Sequence, residues 1–192
     1  MSNFIISIYT EATPNPDSLK FVLNKMLLSG SSVDFERGDD TSYAPLATAL
    51  FEQFDFAQGV FIMNNFVTVR KQPDIEWFEV KSKISEYIKN YVADGKEIVG
   101  AIPEPEHVPS SGDSGEIVQK IRDMLDKYVK PAVEMDGGAI QFKSFDNGVV
   151  TLMMQGSCSG CPSSTVTLKS GIEGLLKRMV PEVTEVVAES EI

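Results

Sequence analysis

Thiols and imidazoles are scarce in this 192-residue chain, which has two cysteines, Cys158 and Cys161, and one histidine, His107. One pair of cysteines with two residues between them cannot staple a fold, so a disulfide framework is excluded and stability must come from buried apolar surface. Basic residues are also few: 17 Lys and Arg stand against 28 Asp and Glu, a formal net charge of -11. The deficit is even, with 9 basic and 14 acidic residues in 1–100 and 8 and 14 in 101–192. Neither half therefore offers the clustered cations that a phosphate backbone or an anionic lipid surface requires, and neither nucleic acid nor membrane is expected as a partner. No apolar run approaches the ~20 residues that cross a bilayer. The opening residues, MSNFIISIYTE, have no basic region and no small-residue cleavage site, and the first arginine is Arg37. With neither a secretory nor a mitochondrial leader visible, a cytoplasmic location is expected.

What is present reads as an ordinary globular balance, 42% hydrophobic and 23% charged. Residues 94–112, DGKEIVGAIPEPEHVPSSG, are rich in Pro and Gly and lack a sustained apolar period, so they read as a semi-rigid linker between domains at 1–93 and 113–192. In the first domain, strand-like runs at 5–9, 19–23 and 33–36 precede a helix in YAPLATALFEQF, where Thr41 or Ser42 could cap and Pro45 sits in the first turn. GVFIMNNFVTVR reads as a hairpin around Asn64-Asn65, with Val60, Phe61, Ile62 and Phe66 as core candidates. Trp77, Val80, Ile84, Tyr87, Ile88 and Tyr91 then recur at helical spacing up to Gly95. After the linker, Asp113 with Glu116 could cap a helix buried through Ile117, Ile121, Met124, Leu125 and Tyr128, which Pro131 should end or kink. Two alternating runs joined by Asn147-Gly148 form the strongest local signal, a type I′ hairpin. The cysteine loop, a helix through Met179 and a last strand at 183–188 follow. The fold class expected is α+β: two small domains, each a mainly antiparallel sheet packed with helices, joined by the Pro/Gly-rich linker.

The loop GSCSGCPSS lies between a strand end and a helix start, where unpartnered N–H groups and the positive end of the helix dipole stabilise thiolates. Thiolate is the form that binds metal and attacks disulfides. Gly156 and Gly160 remove side chains beside each sulfur, and Pro162 suits a first helical turn. With no apolar residue but Pro162 in this stretch, burial of the thiols is not expected. A structural zinc or iron-sulfur centre takes about four protein ligands. One chain has two cysteines and a remote histidine, whereas two chains related by a two-fold axis supply four thiolates.

The segment 116–189, with KPAVEMDGGAIQF, GVVTLMMQGSCSGCPSS and GIEGLLKRMVPEV, closely resembles the NifU C-terminal domain of the Nfu/NifU iron-sulfur cluster scaffold and carrier proteins. The first half, with TEATPNPDSLKF and GVFIMNNFVTVRK, resembles the Nfu N-terminal domain. The resemblance implies a 4Fe-4S cluster shared by two protomers with Cys158 and Cys161 as its ligands, and a homodimer when loaded. It also implies delivery to apo iron-sulfur proteins and supply by upstream cluster assembly proteins. Intermediate carriage is implied rather than de novo assembly, and a carrier rather than an enzyme.

Two other uses of the same motif stay open. A thiol-disulfide oxidoreductase also places CxxC at a helix N-terminus, although a thioredoxin-like order needs a βαβ unit before the motif, and a zinc-bridged interaction module needs the same four thiolates. Elsewhere, Asp136-Gly137-Gly138 reads as a turn ahead of a contact with the cysteine loop, and residues 13–18 as a rigid loop ahead of a recognition edge. Asp39, Asp40, Glu104, Glu106 and His107 read as solvated polar residues. Of Met153 and Met154, one side chain should face the core.

Overall fold

The computed structural model describes residues 5–102, 115–159 and 162–190. Asp113, Glu104, Glu106 and His107, and most of the expected linker, lie outside the described residues. The chain divides into two compact units, Met1–Pro103 and Glu104–Ile192.

Unit 1 is an antiparallel five-stranded sheet in the order β1-β2-β5-β4-β3, built from β1 (Ile8–Ala12), β2 (Ser18–Leu23), β3 (Leu28–Glu36), β4 (Ala57–Asn64) and β5 (Phe66–Lys71). Helices α1 (Pro45–Gln53) and α2 (Trp77–Ala93) complete it. Alternation along the strands turns Phe21, Leu23, Val60, Ile62, Val67 and Val69 toward one core, which Leu46, Leu50, Ile84 and Ile88 close from the helices. Phe61 and Phe66, from the other face, are buried as well, with ring centroids 5.9 Å apart. The β4–β5 hairpin turns through Asn64 at φ 48°, a left-handed residue that asparagine tolerates.

Three local expectations shift. The first strand begins at Ile8, three residues later than expected, because the Asn24 side chain occupies the backbone before it, accepting from Ser7 N–H at 2.9 Å and donating to Ile5 O at 2.9 Å. Helix α1 has Ala44 at its N-cap with no side-chain cap. Thr41 bonds Thr48 instead, and the Leu46 N–H, one of the donors a helix start leaves over, is satisfied by Ile98 O at 3.2 Å. The stretch from 94 to 102, whose composition marks it as linker, thus packs on unit 1: Gly100 N–H donates to Tyr43 O at 2.7 Å, and Ile98, Val99 and Ile102 lie against the core. Residues 13–18 are the rigid loop expected. Asn15, buried, accepts from Asp17 N–H, and Trp77 Nε1 donates to Pro16 O.

Among the described residues, unit 2 opens with α3 (Gly115–Met124), passes through a π-helical turn at Leu125–Val129 and continues as α4 (Lys130–Met135). Pro131 therefore does not end the helix. The π turn, with Lys130 N–H bonded to Leu125 O five residues back, widens the ladder just before the residue that lacks an N–H. β6 (Gly138–Asp146) and β7 (Val149–Gly156) form the antiparallel hairpin, turning through Asn147 at φ 48° and Gly148 at φ 83° as the Asn-Gly pair predicts. Helix α5 (Pro162–Met179) crosses over, and β8 (Glu185–Ser190) pairs parallel to β7. The sheet, ordered β6-β7-β8, is therefore mixed. Its core contains Ile121, Leu125, Ile140, Leu152, Met154, Leu176 and Val186. Met154 faces that core while Met153 is half-buried, as the alternation expects.

Candidate metal centre

The cysteine loop starts where β7 ends. Gly156, the last residue of that strand, has φ 69°, a left-handed value that turns the chain out of the sheet and that glycine adopts without a Cβ penalty. Ser159 then folds back, its N–H and hydroxyl both donating to Gly156 O, at 3.1 and 2.8 Å. Helix α5 begins at Pro162, so its positive end follows the second cysteine at once.

Cys158 is buried, 6% exposed, and its side chain is part of the unit 2 core. Burial was not expected from a stretch of glycine and serine. Cys158 clusters with the unit 2 core, and the Asp136-Gly137-Gly138 turn approaches it from the strand side. Ser157 N–H donates to Gly137 O at 3.2 Å and Ser157 Oγ donates to Asp136 O. Gly138 lies so close that an added β-carbon would stand 2.9 Å from Cys158 Sγ and 2.6 Å from Gln155 O. Asp136-Gly137-Gly138 is thus both a turn, with Gly137 at φ 80°, and the seat of the cysteine loop. Cys161 and Gly160 lie outside the described residues. Among the described residues, no group of three or more His, Cys, Asp or Glu side chains is placed to hold a metal ion.

Ser157 is the residue that motif reading passed over, and Gly138 was read first as part of a turn rather than as a contact of the cysteine loop, although the sequence held a signal for both. Counting outward along both strands from the Asn147-Gly148 turn brings residue 138 opposite residue 157, and the one bulge between Phe142 and Ser144 shifts the observed partner to Gly156. Hairpin register alone therefore carries the glycine pair to the cysteine loop.

Asp39 and Asp40 are exposed and also brace the turn after β3. Asp39 accepts from Glu36 N–H and Asp40 from Ser42 N–H. The Ser42 backbone and hydroxyl hold the Asp40 carboxyl below its ordinary pKa.

Comparison with known proteins places this geometry among relatives. The family model described as scaffold protein Nfu/NifU N terminal matches residues 8–95, and the one described as NifU-like domain matches residues 121–187. A protein named NFU1 iron-sulfur cluster scaffold homolog, mitochondrial, from Drosophila persimilis is 40% identical over 180 residues, covering 93% of this chain and 64% of its own length. Its namesake from Drosophila erecta is likewise 40% identical, over 93% of this chain and 63% of that one. The chain thus spans a little under two thirds of the length of these relatives. The solution NMR structure of a NifU-like protein from Saccharomyces cerevisiae aligns with a TM-score of 0.47 and 25% identity over 53% of this chain and 91% of that one. The relatives' names correct the expectation of a cytoplasmic location, since both are named as mitochondrial. That expectation rested on the absence of a visible leader, which does not separate a cytosolic protein from an organellar one.

Proposed function

This chain belongs to the Nfu/NifU family of scaffold proteins in both of its units, and on that premise we propose that it carries a 4Fe-4S cluster between two copies of itself and delivers it to apo iron-sulfur proteins. The ligands are Cys158 and Cys161 of each copy, and the cluster is cargo. The observation that carries the reading is the ligand count: a cluster takes about four protein ligands, and one chain has two cysteines and one histidine. A two-fold axis through the loop uses one CxxC twice and completes the set with no further residue.

Transfer follows from that geometry. A cluster held between two loops is reached by separating the protomers, without unfolding either. An acceptor whose thiolates all lie on one chain then gains ligands without having to hold a dimer together, so exchange runs toward it. Unit 1, which has no cysteine, serves in acceptor docking. The oxidoreductase reading is the weaker one. A thioredoxin-like order needs a βαβ unit before the motif, whereas this loop follows an antiparallel hairpin.

The test is transfer under competition. Cluster-loaded protein is mixed with an apo 4Fe-4S acceptor and an iron chelator, and acceptor activity is followed. Recovery at a rate the chelator leaves unchanged supports carriage. Complete block by the chelator, or a colourless zinc-loaded protein after anaerobic purification, contradicts it.

A further inference from the structure

We propose that Ser157 positions Cys158, fastening the cysteine loop to the turn that precedes β6. The inference rests on the carrier reading for its purpose and on the hydrogen bonds of unit 2 for its substance. Ser157 is 1% exposed. Its hydroxyl donates to Asp136 O and its N–H donates to Gly137 O at 3.2 Å, two bonds to successive carbonyls about 20 residues away in sequence. The hydroxyl has one hydrogen, which Asp136 O accepts, so in the 3.9 Å contact between Ser157 Oγ and Cys158 Sγ the thiol S–H donates and the hydroxyl oxygen accepts. Gly138 bounds the same sulfur from the strand side. The thiol is thereby set between a fixed oxygen and a bare Cα.

The loop has need of such a fastening. Gly156, two residues before Cys158, has no Cβ to restrict the backbone where it leaves β7. A ligand on such a loop presents its sulfur in one place only if something outside the loop fixes it, and a site whose supporting residues are loose loses binding even with every ligand present. Ser159 cannot do this, because its hydroxyl turns back to Gly156 O within the same loop. Ser157 ties the loop to another element through its hydroxyl and its N–H, and Ser157→Ala removes the hydroxyl bond while Ile140, Leu152 and Leu176 keep the core.

The experiment uses the full chain and has two arms. In the first, Cys158 is the sole thiol, in a Cys161→Ser background without cluster, and its alkylation by iodoacetamide at fixed pH is followed by mass spectrometry. Ser157→Ala should raise the rate about tenfold, the opening expected when one buried hydrogen bond is lost, with the thermal melt of the chain retained. A rate equal to the Ser157 parent overturns the proposal. Should the alanine variant fail to fold, hydrogen exchange at the Ser157 amide of the unmodified chain decides: slow exchange upholds the fastening, and exchange at the rate of an open loop overturns it. In the second arm, with both cysteines present, Ser157→Ala should shorten the lifetime of the visible chromophore on exposure to chelator about tenfold, and an unchanged lifetime again overturns it. A Ser157 parent that takes up no cluster defeats the carrier reading instead, and the alkylation arm still decides the role of Ser157.

Discussion

Gly138 and Cys158 meet where β6 begins and β7 has just ended: a β-carbon on Gly138 would stand 2.9 Å from Cys158 Sγ, closer than side chains pack. The same β-carbon would stand 2.6 Å from Gln155 O, a backbone atom in the paired strand that cannot swing aside. Gly138→Ala therefore has no cheap relaxation. It should destabilise unit 2 by about 1–3 kcal/mol, the usual cost of overpacking a filled site. Urea unfolding of the variant beside the parent checks this, and an unchanged midpoint would show that the strand end yields more easily than the contacts imply.

The carboxylate of Glu173 joins α5 to β8. It accepts from Lys177 Nζ at 2.6 Å on its own helix and from Val186 N–H at 3.1 Å on the strand. The Lys177 bond, then the Val186 bond, hold its pKa below the ordinary 4.5. The unfolded chain takes up this proton at the ordinary value and the folded chain only at a lower one. The stabilisation is thus complete above 4.5 and is lost as pH falls through the folded value. Glu173→Gln removes the titrating group, so the decline in Tm between about pH 6 and about pH 3 should be shallower in the variant than in the parent. Parallel declines would mean that the Glu173 contacts carry no net weight in solution.

Where unit 1 ends is tested by truncation. We propose that it extends through residue 102, since Leu46 N–H bonds to Ile98 O, Tyr91 OH donates to Glu97 O and Ile102 packs on the core. A fragment of residues 1–102 should unfold cooperatively and melt higher than residues 1–93, which leave the start of α1 without its acceptor. Equal melting temperatures would return residues 94–102 to the linker that their composition describes.

Much of this architecture is written in short-range chemistry, and what escaped reading depends on distant partners. Asn147-Gly148 announces its hairpin because both residues adopt positive φ readily, and the apolar spacing of Ile84 and Ile88 announces α2 because a helix repeats within one turn. Burial of Cys158 has no such local cause. Its neighbours in sequence are Ser157 and Ser159, whereas it packs in the unit 2 core and against a glycine 20 residues earlier. Pro131 reads as an end or a kink because proline lacks an N–H, and the sequence does not tell the two apart; one widened π turn before it lets the helix pass. The capping of α1 by Ile98 is equally hidden, since a backbone carbonyl leaves no mark in the residue type that carries it. The parallel pairing of β8 was open to inference: a strand, a crossover helix and a further strand return in the same direction.

The central claim is that the cluster is shared between two chains, and counting metal against mass tests it most directly. Protein reconstituted anaerobically with iron and sulfide is analysed for iron and sulfide content while sedimentation gives its mass, beside Cys158→Ser and Cys161→Ser variants. The account predicts about four iron atoms per two chains in a coloured species of twice the 21.1 kDa chain mass, reverting toward lower mass when chelator removes the iron, with neither serine variant coloured. Four iron atoms on a species of single-chain mass, or a full chromophore in either serine variant, would contradict it.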